Sequence, residues 1–370
     1  MGAVPHTTPR VLPPASLHGR IVRSGKVHIS RRQPRSRSAV SGSVVTGDFF
    51  AAHDAPDHPE SEARLVAALA GVPDSTRHIA PEKAHPTDLA LVHTHKHIAA
   101  IRSLCKECPP DRICYLDPDT YVTRGSFDAA LYAAGATWQA VDQALDGESS
   151  FALVRPPGHH ATPDRAMGFC LFNNIAVATV RALREVDRIA IVDWDLHHGN
   201  GTQAAFYISD RVLYCSVHQM GIFPGSGWPE EQGSGPGVGY TLNTPLESGS
   251  TGADYALVFQ RIFIPAIRRF GPDLIVVSAG QDAAFDDPLG SMLLYPDDFG
   301  ALTGMLLDAR PGALALTLEG GYGRSHAAAI RSIFAALDGS RFTPRDGEAK
   351  ASTRLLVEAY AATTGSAVRA

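Results

Sequence analysis

IAIVDWDLHHGNG, residues Ile189–Gly201, sets the architecture of this 370-residue chain. Ile189–Val192 is an uninterrupted apolar run, charged before and glycine-bearing after, the pattern of a buried parallel strand that runs out into a loop. Asp193, Asp195 and His197 then follow at spacing two. In extended backbone, side chains two apart point the same way, so carboxylates and an imidazole can converge on one cation. Such oxygen and nitrogen donors suit Zn²⁺. A polar loop that only caps the next helix would account for one Asp, but not for a D-x-D-x-H-H run.

Around this stretch the composition is that of a soluble globular chain with a sizeable core, 44% hydrophobic and 19% charged. The length suits one large α/β domain or two ordinary ones. No uncharged apolar run reaches the length of a membrane span and the N-terminus lacks a secretory apolar stretch, so no membrane partner is expected. Five cysteines, odd in number and unevenly spaced, argue against a disulfide framework and for a reducing compartment, read as the cytoplasm. Residues 1–42 hold eight Lys/Arg and no Asp/Glu, which leaves the rest with 25 basic against 38 acidic residues and a net charge of −13. An acidic body attracts cationic substrates without specifying any chemistry.

Three parts are expected: a disordered basic extension 1–42, a catalytic domain 43–340, and a C-terminal tail 341–370 with a short helix. The extension is rich in Pro, Arg and Ser without apolar periodicity. A basic tail for nucleic acid, an organelle transit peptide and an extension with no role compete for it. Compact structure should begin near Val44, with helical patterns over His58–Val72 and His85–Ile101. CKECPPDRIC, with Cys105, Cys108 and Cys114 and with His93, His95 and His97 upstream, invites a second, structural zinc, although no second C-x-x-C occurs. Ser126 is expected to cap a long helix Phe127–Leu145. Strand-like runs follow at Phe151–Val154, Arg188–Val192, Val212–Val217, Tyr240–Asn243, Leu274–Ser278 and Ala313–Leu318. Helical stretches at Asn174–Glu185, Gly252–Arg269 and Asp297–Ala309 separate most of them. This alternation predicts an α/β fold, a central, mainly parallel β-sheet with helices on both faces. In such sheets ligands bind at the carboxyl ends of the strands.

Each suspicious polar residue does follow a strand. Phe151–Val154 delivers His159 and His160, Arg188–Val192 delivers Asp193, Asp195 and His197, Leu274–Ser278 delivers Asp282, and Ala313–Leu318 delivers Tyr322. Singly these are weak signals; their joint placement on one sheet edge carries the weight.

RPPGHHATPDRAMGFCLFNN, VDWDLHHGNGTQ, SAGQDAAFDDPLG and LEGGYG together resemble the zinc-dependent histone deacetylase family, closest to its class II branch and bacterial and archaeal relatives. The resemblance runs from about Gly47 to Gly339. It implies the arginase/deacetylase fold, one Zn²⁺ per chain held by Asp195, His197 and Asp282, tandem catalytic histidines His159 and His160, and Tyr322 as the carbonyl-polarising phenol. It pairs His159 with Asp193 and His160 with Asn200, where other members carry Asp. It also implies a structural K⁺ near Asp193, Asp195 and Ser216, and a tunnel for an acyl-lysine chain walled by Phe169 and Phe223, with Gly168, Leu289 and His198 nearby and Arg64 at the pocket beneath.

The chemistry of these residue types agrees. Two carboxylates and one imidazole neutralise Zn²⁺, making it a milder Lewis acid than one held by three neutral histidines, so amide hydrolysis needs a phenol donor and a neutral base. His160 is the expected base, because a neutral partner at Asn200 leaves it easier to keep unprotonated. Gln281 departs from the GFD usual before the third ligand; its amide would either hydrogen-bond a ligand or widen the pocket floor. Arginase-like enzymes, which share the fold, need further carboxylates where this chain has Gly199 and Ala284, so a two-metal site is not expected. The expected activity is removal of acetyl or other acyl groups from lysine ε-amines of proteins or peptides. An acetylpolyamine amidohydrolase is the rival, and a non-catalytic acyl-lysine binder the remote alternative. Oligomerisation is left open.

Overall fold

The computed structural model describes residues 42–310, 312–345 and 347–366, with side chains to residue 362. The expectations for the basic extension lie outside these residues. Its strands are β1 (Ser43–Val45), β2 (Arg77–Ile79), β3 (Cys114–Tyr115), β4 (Tyr121–Val122), β5 (Ser150–Ala152), β6 (Ile189–Asp193), β7 (Val212–Gln219), β8 (Thr241–Leu246), β9 (Leu274–Ser278) and β10 (Leu314–Thr317). Eight of them form one parallel sheet in the order β2-β1-β5-β10-β9-β6-β7-β8, while β3 and β4 make a separate antiparallel hairpin. This is the expected parallel architecture; β1 and β2 have no expected counterpart, and the other six strands differ from the expected ones by one to three residues at most ends.

The central strands read as continuous apolar runs because both faces are covered. Along β6, Ala190 and Val192 enter one core while Ile189 and Ile191 enter the other; along β9, Ile275 and Val277 part from Leu274 and Val276 in the same way. Helix Ser126–Leu145 approaches the sheet closely through Ala133, Ala136 and Ala140, and Thr137 hydrogen-bonds Thr317 of β10 at 2.9 Å. Its cap differs from expectation. Gly125 is the N-cap, and the Ser126 hydroxyl instead accepts the Thr123 N–H at 2.7 Å and pairs with His53 Nδ1 at 2.6 Å. The helical pattern His58–Val72 forms only over Glu62–Leu69, and His85–Ile101 becomes two helices, Pro86–Leu89 and His95–Glu107. A π-turn, Phe259–Phe263, interrupts the helix expected over Gly252–Arg269.

Residues 341–366, expected as a tail, pack on the domain. Helix Ala351–Ser366 buries Val357 and Tyr360, and the Tyr360 hydroxyl donates to Asn243 O at 2.6 Å. Cys108 and Cys114 form a disulfide, Cα–Cα 6.1 Å, correcting the expectation that the cysteines stay unpaired or hold zinc. The loop of residues 109–113 returns Cys114, the first residue of β3, to the C-cap of helix His95–Glu107, where Cys108 sits. Cys105 is a buried free thiol. No helix among the described residues is long and apolar enough to cross a membrane.

Candidate active site

The four strands that deliver polar loops are neighbours, β5-β10-β9-β6. Their ends are in register: Ala152 pairs Thr317, Thr317 pairs Ser278, and Ser278 pairs Asp193. Four loops therefore leave the sheet at one height and meet over its carboxyl edge, at a cavity of about 170 Å³.

Asp195, His197 and Asp282 bring donor atoms within 4.8 Å of one another, the sole such cluster among the described residues. His197 Nδ1 lies 3.1 Å from Asp282 Oδ2 and 3.4 Å from Asp195 Oδ1. The other carboxylate contacts fix the loops: Asp195 accepts the N–H of His197 at 2.9 Å and of Gly320 at 2.7 Å, and Asp282 accepts that of Leu196 at 2.9 Å. Gly320 must be glycine, since a Cβ there would lie 2.3 Å from Asp282 Oδ2. Two carboxylates and an imidazole fit one divalent cation. Donors for a second are lacking: a Cβ at Gly199 would lie 2.2 Å from Asp193 Oδ2, and Ala284 is buried.

The rings of the histidine pair lie 4.0 Å apart between centroids, tilted by 46°. His159 Nδ1 sits 3.1 Å from Asp193 Oδ2, which also accepts the Tyr214 hydroxyl at 3.0 Å. Burial opposes the His159 charge, but the carboxylates of Asp195, Asp193 and Glu319 outweigh it and hold His159 well above its ordinary pKa. His160 Nδ1 is 2.9 Å from Asn200 Oδ1, so that nitrogen carries the proton and Nε2 is left with its lone pair. Burial, then the adjacent His159 and His197, hold His160 well below its ordinary value. The direction is as expected from the sequence, but the cause is not: the Asn200 bond acts slightly the other way.

Tyr322 is held by its own backbone. Its N–H and that of Gly323 donate to Asp287 Oδ2 at 2.6 and 3.0 Å, and the Arg64 guanidinium lies 4.9 Å over the ring. Burial raises the phenol well above its usual pKa, with Arg64 opposing, so the hydroxyl stays a donor. Phe169 adopts a left-handed backbone, φ 68°, pinned by its N–H to Thr120 Oγ1 at 3.2 Å and edge-on to Tyr322. A non-glycine residue there stores on the order of 1–3 kcal/mol of strain. Phe223, 41% exposed, stands edge-on to His160 across the cavity.

The cavity is lined by the ligand triad, by both histidines and Tyr322, and by Gly168, Phe169, Phe223 and Leu289. Asp193 and Asn200 act from behind it, through His159 and His160. His198 does not reach it: its ring is turned to Ser226 at 2.9 Å and Gln203 at 3.0 Å and borders a small neighbouring cleft. Gln281 does not line the cavity and its amide donates to Ala279 O, not to a ligand.

Sequence reasoning missed Asp119, an exposed carboxylate at the cavity that comes from the β3–β4 turn, where nothing but a D-P-D-T turn signal marks it. It also missed the ion network beneath. Fully buried Glu60 receives Arg155 Nε at 2.7 Å and Arg64 Nη1 at 3.0 Å, with His53 Nε2 at 3.4 Å. Burial would raise Glu60, yet Arg155, His53 and Arg64 hold it well below the usual carboxylate range. This network ties the start of the histidine loop to the segment that carries Arg64.

A parallel sheet with this edge chemistry defines the arginase/deacetylase fold. The histone deacetylase domain model matches residues 56–337. Histone deacetylase 5 of Arabidopsis thaliana is 42% identical over 303 residues, covering 75% of this chain but 46% of that protein, so the chain spans about half of that relative's length. The histone deacetylase-like amidohydrolase of Pseudomonas aeruginosa is 41% identical over 282 residues, 73% of each chain. The crystal structure of the HDA15 HD domain superposes with a TM-score of 0.80 at 34% identity, covering 87% of this chain and 94% of that one. The chain belongs to the histone deacetylase family.

Proposed function

We propose that this protein is a zinc-dependent deacylase that removes acetyl or other acyl groups from lysine ε-amines of proteins or peptides. The observation that carries this reading is the convergence of the donor triad, the histidine pair and Tyr322 on one cavity between Phe169 and Phe223. Asp195, His197 and Asp282 would hold the Zn²⁺, which would supply Lewis acidity towards an amide carbonyl and water. Tyr322 donates its hydroxyl hydrogen to the carbonyl oxygen as charge develops there. His160, kept neutral, takes the proton of the attacking water at Nε2 and later returns it to the leaving amine. His159, kept as imidazolium by Asp195, Asp193 and Glu319, sets the field in which this proton moves. Phe169 and Phe223 exclude water and pack on a tetramethylene stem. A structural monovalent cation beside Asp193, Asp195 and Ser216 belongs to the same proposal; Asp193, the last residue of β6, pairs Ser216 midway along β7.

Half-buried Leu289 on the cavity wall supports lysine over polyamine substrates. An acidic residue there would compensate the desolvation of a distal ammonium, whereas leucine packs on the stem and backbone of a peptide. The acetylpolyamine reading keeps one observation on its side, the exposed Asp119 carboxylate at the mouth of an acidic body. Measuring kcat/KM for an acetyl-lysine peptide against acetylated spermidine and putrescine separates them. The peptide is expected to be preferred, with Leu289→Glu shifting the balance to polyamines; a clear wild-type preference for polyamines overturns the lysine assignment.

A further inference from the structure

Glu319 follows β10 and precedes the Gly320–Tyr322 turn, yet its side chain is neither a cavity wall nor part of the ligand triad. It is fully buried. One carboxylate oxygen accepts two backbone N–H groups of the loop after β5, Gly158 at 2.7 Å and His159 at 3.1 Å. The other accepts the hydroxyl of Ser278, the last residue of β9, at 3.1 Å. A single side chain thus joins three adjacent strand ends: the loop that carries the histidines, the loop that carries Asp282, and its own loop, which carries Tyr322. The carbonyl of His159 is fixed as well, since His159 O accepts the N–H groups of Gly201 and Thr202 at 3.0 and 3.1 Å. Both backbone polar groups of His159 are therefore held, and the partner of its N–H is Glu319.

We infer that Glu319 is the positioning residue of the histidine pair, acting through backbone hydrogen bonds and not through contact with substrate; the inference rests on the deacylase reading. Buried N–H groups need an acceptor, and the acceptor must span from the β5 loop to Ser278. Glutamate meets both demands in one side chain. Glutamine keeps the reach, with its oxygen for the two N–H groups and its NH₂ for Ser278 Oγ, but loses the charge. Aspartate keeps the charge but is a methylene shorter. Leucine keeps much of the volume and leaves all three groups unpartnered.

The test compares wild type with Glu319→Gln, Glu319→Asp and Glu319→Leu in the full chain. With zinc bound, kcat is expected to fall in the order wild type, Gln, Asp, Leu. Gln should lie within about tenfold of wild type and Asp and Leu about 10²-fold below it, the scale set by misplacing a catalytic group by about 1 Å. KM should change little, because the tunnel walls are untouched. Hydrogen exchange at the amides of Gly158 and His159, read without substrate, should remain slow in Gln and quicken at least tenfold in Asp and Leu. An Asp variant more active than Gln, or a Leu variant with wild-type kcat and protected amides, overturns the inference. Should Leu fail to fold, the Gln and Asp ranking still decides. The exchange readout is independent of turnover, so a wild-type protein inactive on acyl-lysine peptides would sink the deacylase reading alone.

Discussion

Two stretches of this chain look comparably equipped to hold a metal, and only one of them is. Residues 93–114 offer three histidines and three cysteines; residues 193–197 offer two aspartates and a histidine. In the first, the groups are consumed separately. His93 spends one nitrogen on Thr162 O at 3.0 Å and accepts the Asn173 N–H at 2.8 Å with the other, His97 bonds Leu171 O at 2.9 Å, and Cys108 pairs with Cys114. Cys105 lies in an apolar cluster, where burial pushes its thiol up to about 11. In the second, Asp195 and His197 face one another and Asp282, while Asp193 turns to His159. The difference is the backbone beneath. His95 and His97 sit on a helix, where spacing two turns side chains roughly 200° apart; β6 ends at Asp193, whose carboxylate turns to His159, and the bend that follows brings Asp195 and His197 together with Asp282 from the loop after β9. Spacing is a metal signal only together with the backbone that carries it.

The sharpest way to break this comparison is to remove one donor from each region. His197→Ala should abolish turnover and bring bound zinc from one per chain to near zero by elemental analysis, whereas Cys108→Ser/Cys114→Ser should leave the zinc and the activity in place. Loss of metal from the cysteine variant, or two ions in wild type, would reverse the assignment.

Tyr322→Phe should leave zinc bound and lower kcat on the order of 10²–10³-fold, about 2.7–4 kcal/mol of lost oxyanion stabilisation. Wild-type kcat in that variant would make Tyr322 structural.

The cysteine pair should act on stability alone. Its six-residue separation predicts that Cys108→Ser/Cys114→Ser costs roughly 2 kcal/mol in denaturant unfolding. An unchanged midpoint would mean that the bond restrains nothing.

The smallest effect is in pH dependence. Burial, and then His97, push His93 down to about 3 from 6.5. Between those values the unfolded chain binds a proton that the folded chain does not, so His93 makes stability fall as the pH drops from about 6.5 towards 3. His93→Gln should flatten the dependence of the unfolding midpoint over that window by about one proton. An identical slope would show that His93 is not held neutral in the fold.

How much of this was legible differs from residue to residue. Val192 and Val277 could be assigned to buried strands because a strand covered on both faces has no polar side to hide. Asp195, Asp282 and Tyr322 could be named because each sits just past such a strand in a recognisable loop. Asp119 could not: its loop is short and polar like many others, and only the β3–β4 hairpin carries it to the cavity. Glu60 and Arg155 stand 95 residues apart, so their ion pair has no local signature. Leu289 was placed at the cavity by resemblance; His198, expected near the tunnel, borders the neighbouring cleft that shares Phe223, because a ring's direction depends on which neighbour bonds it.

By itself the sequence determined the alternation of strands and helices and the polar cargo at each strand end, because these follow from local periodicity and residue type, while the set Asp195, His197 and Asp282 was read from the family resemblance. Only the tertiary structure decided that β5, β10, β9 and β6 are neighbours with their ends level, that Cys108 meets Cys114, and that one buried carboxylate at Glu319 ties three loops together. Sheet order and register are set by packing between residues far apart in the chain, and a hydrogen bond that spans such a distance leaves no periodicity at either end.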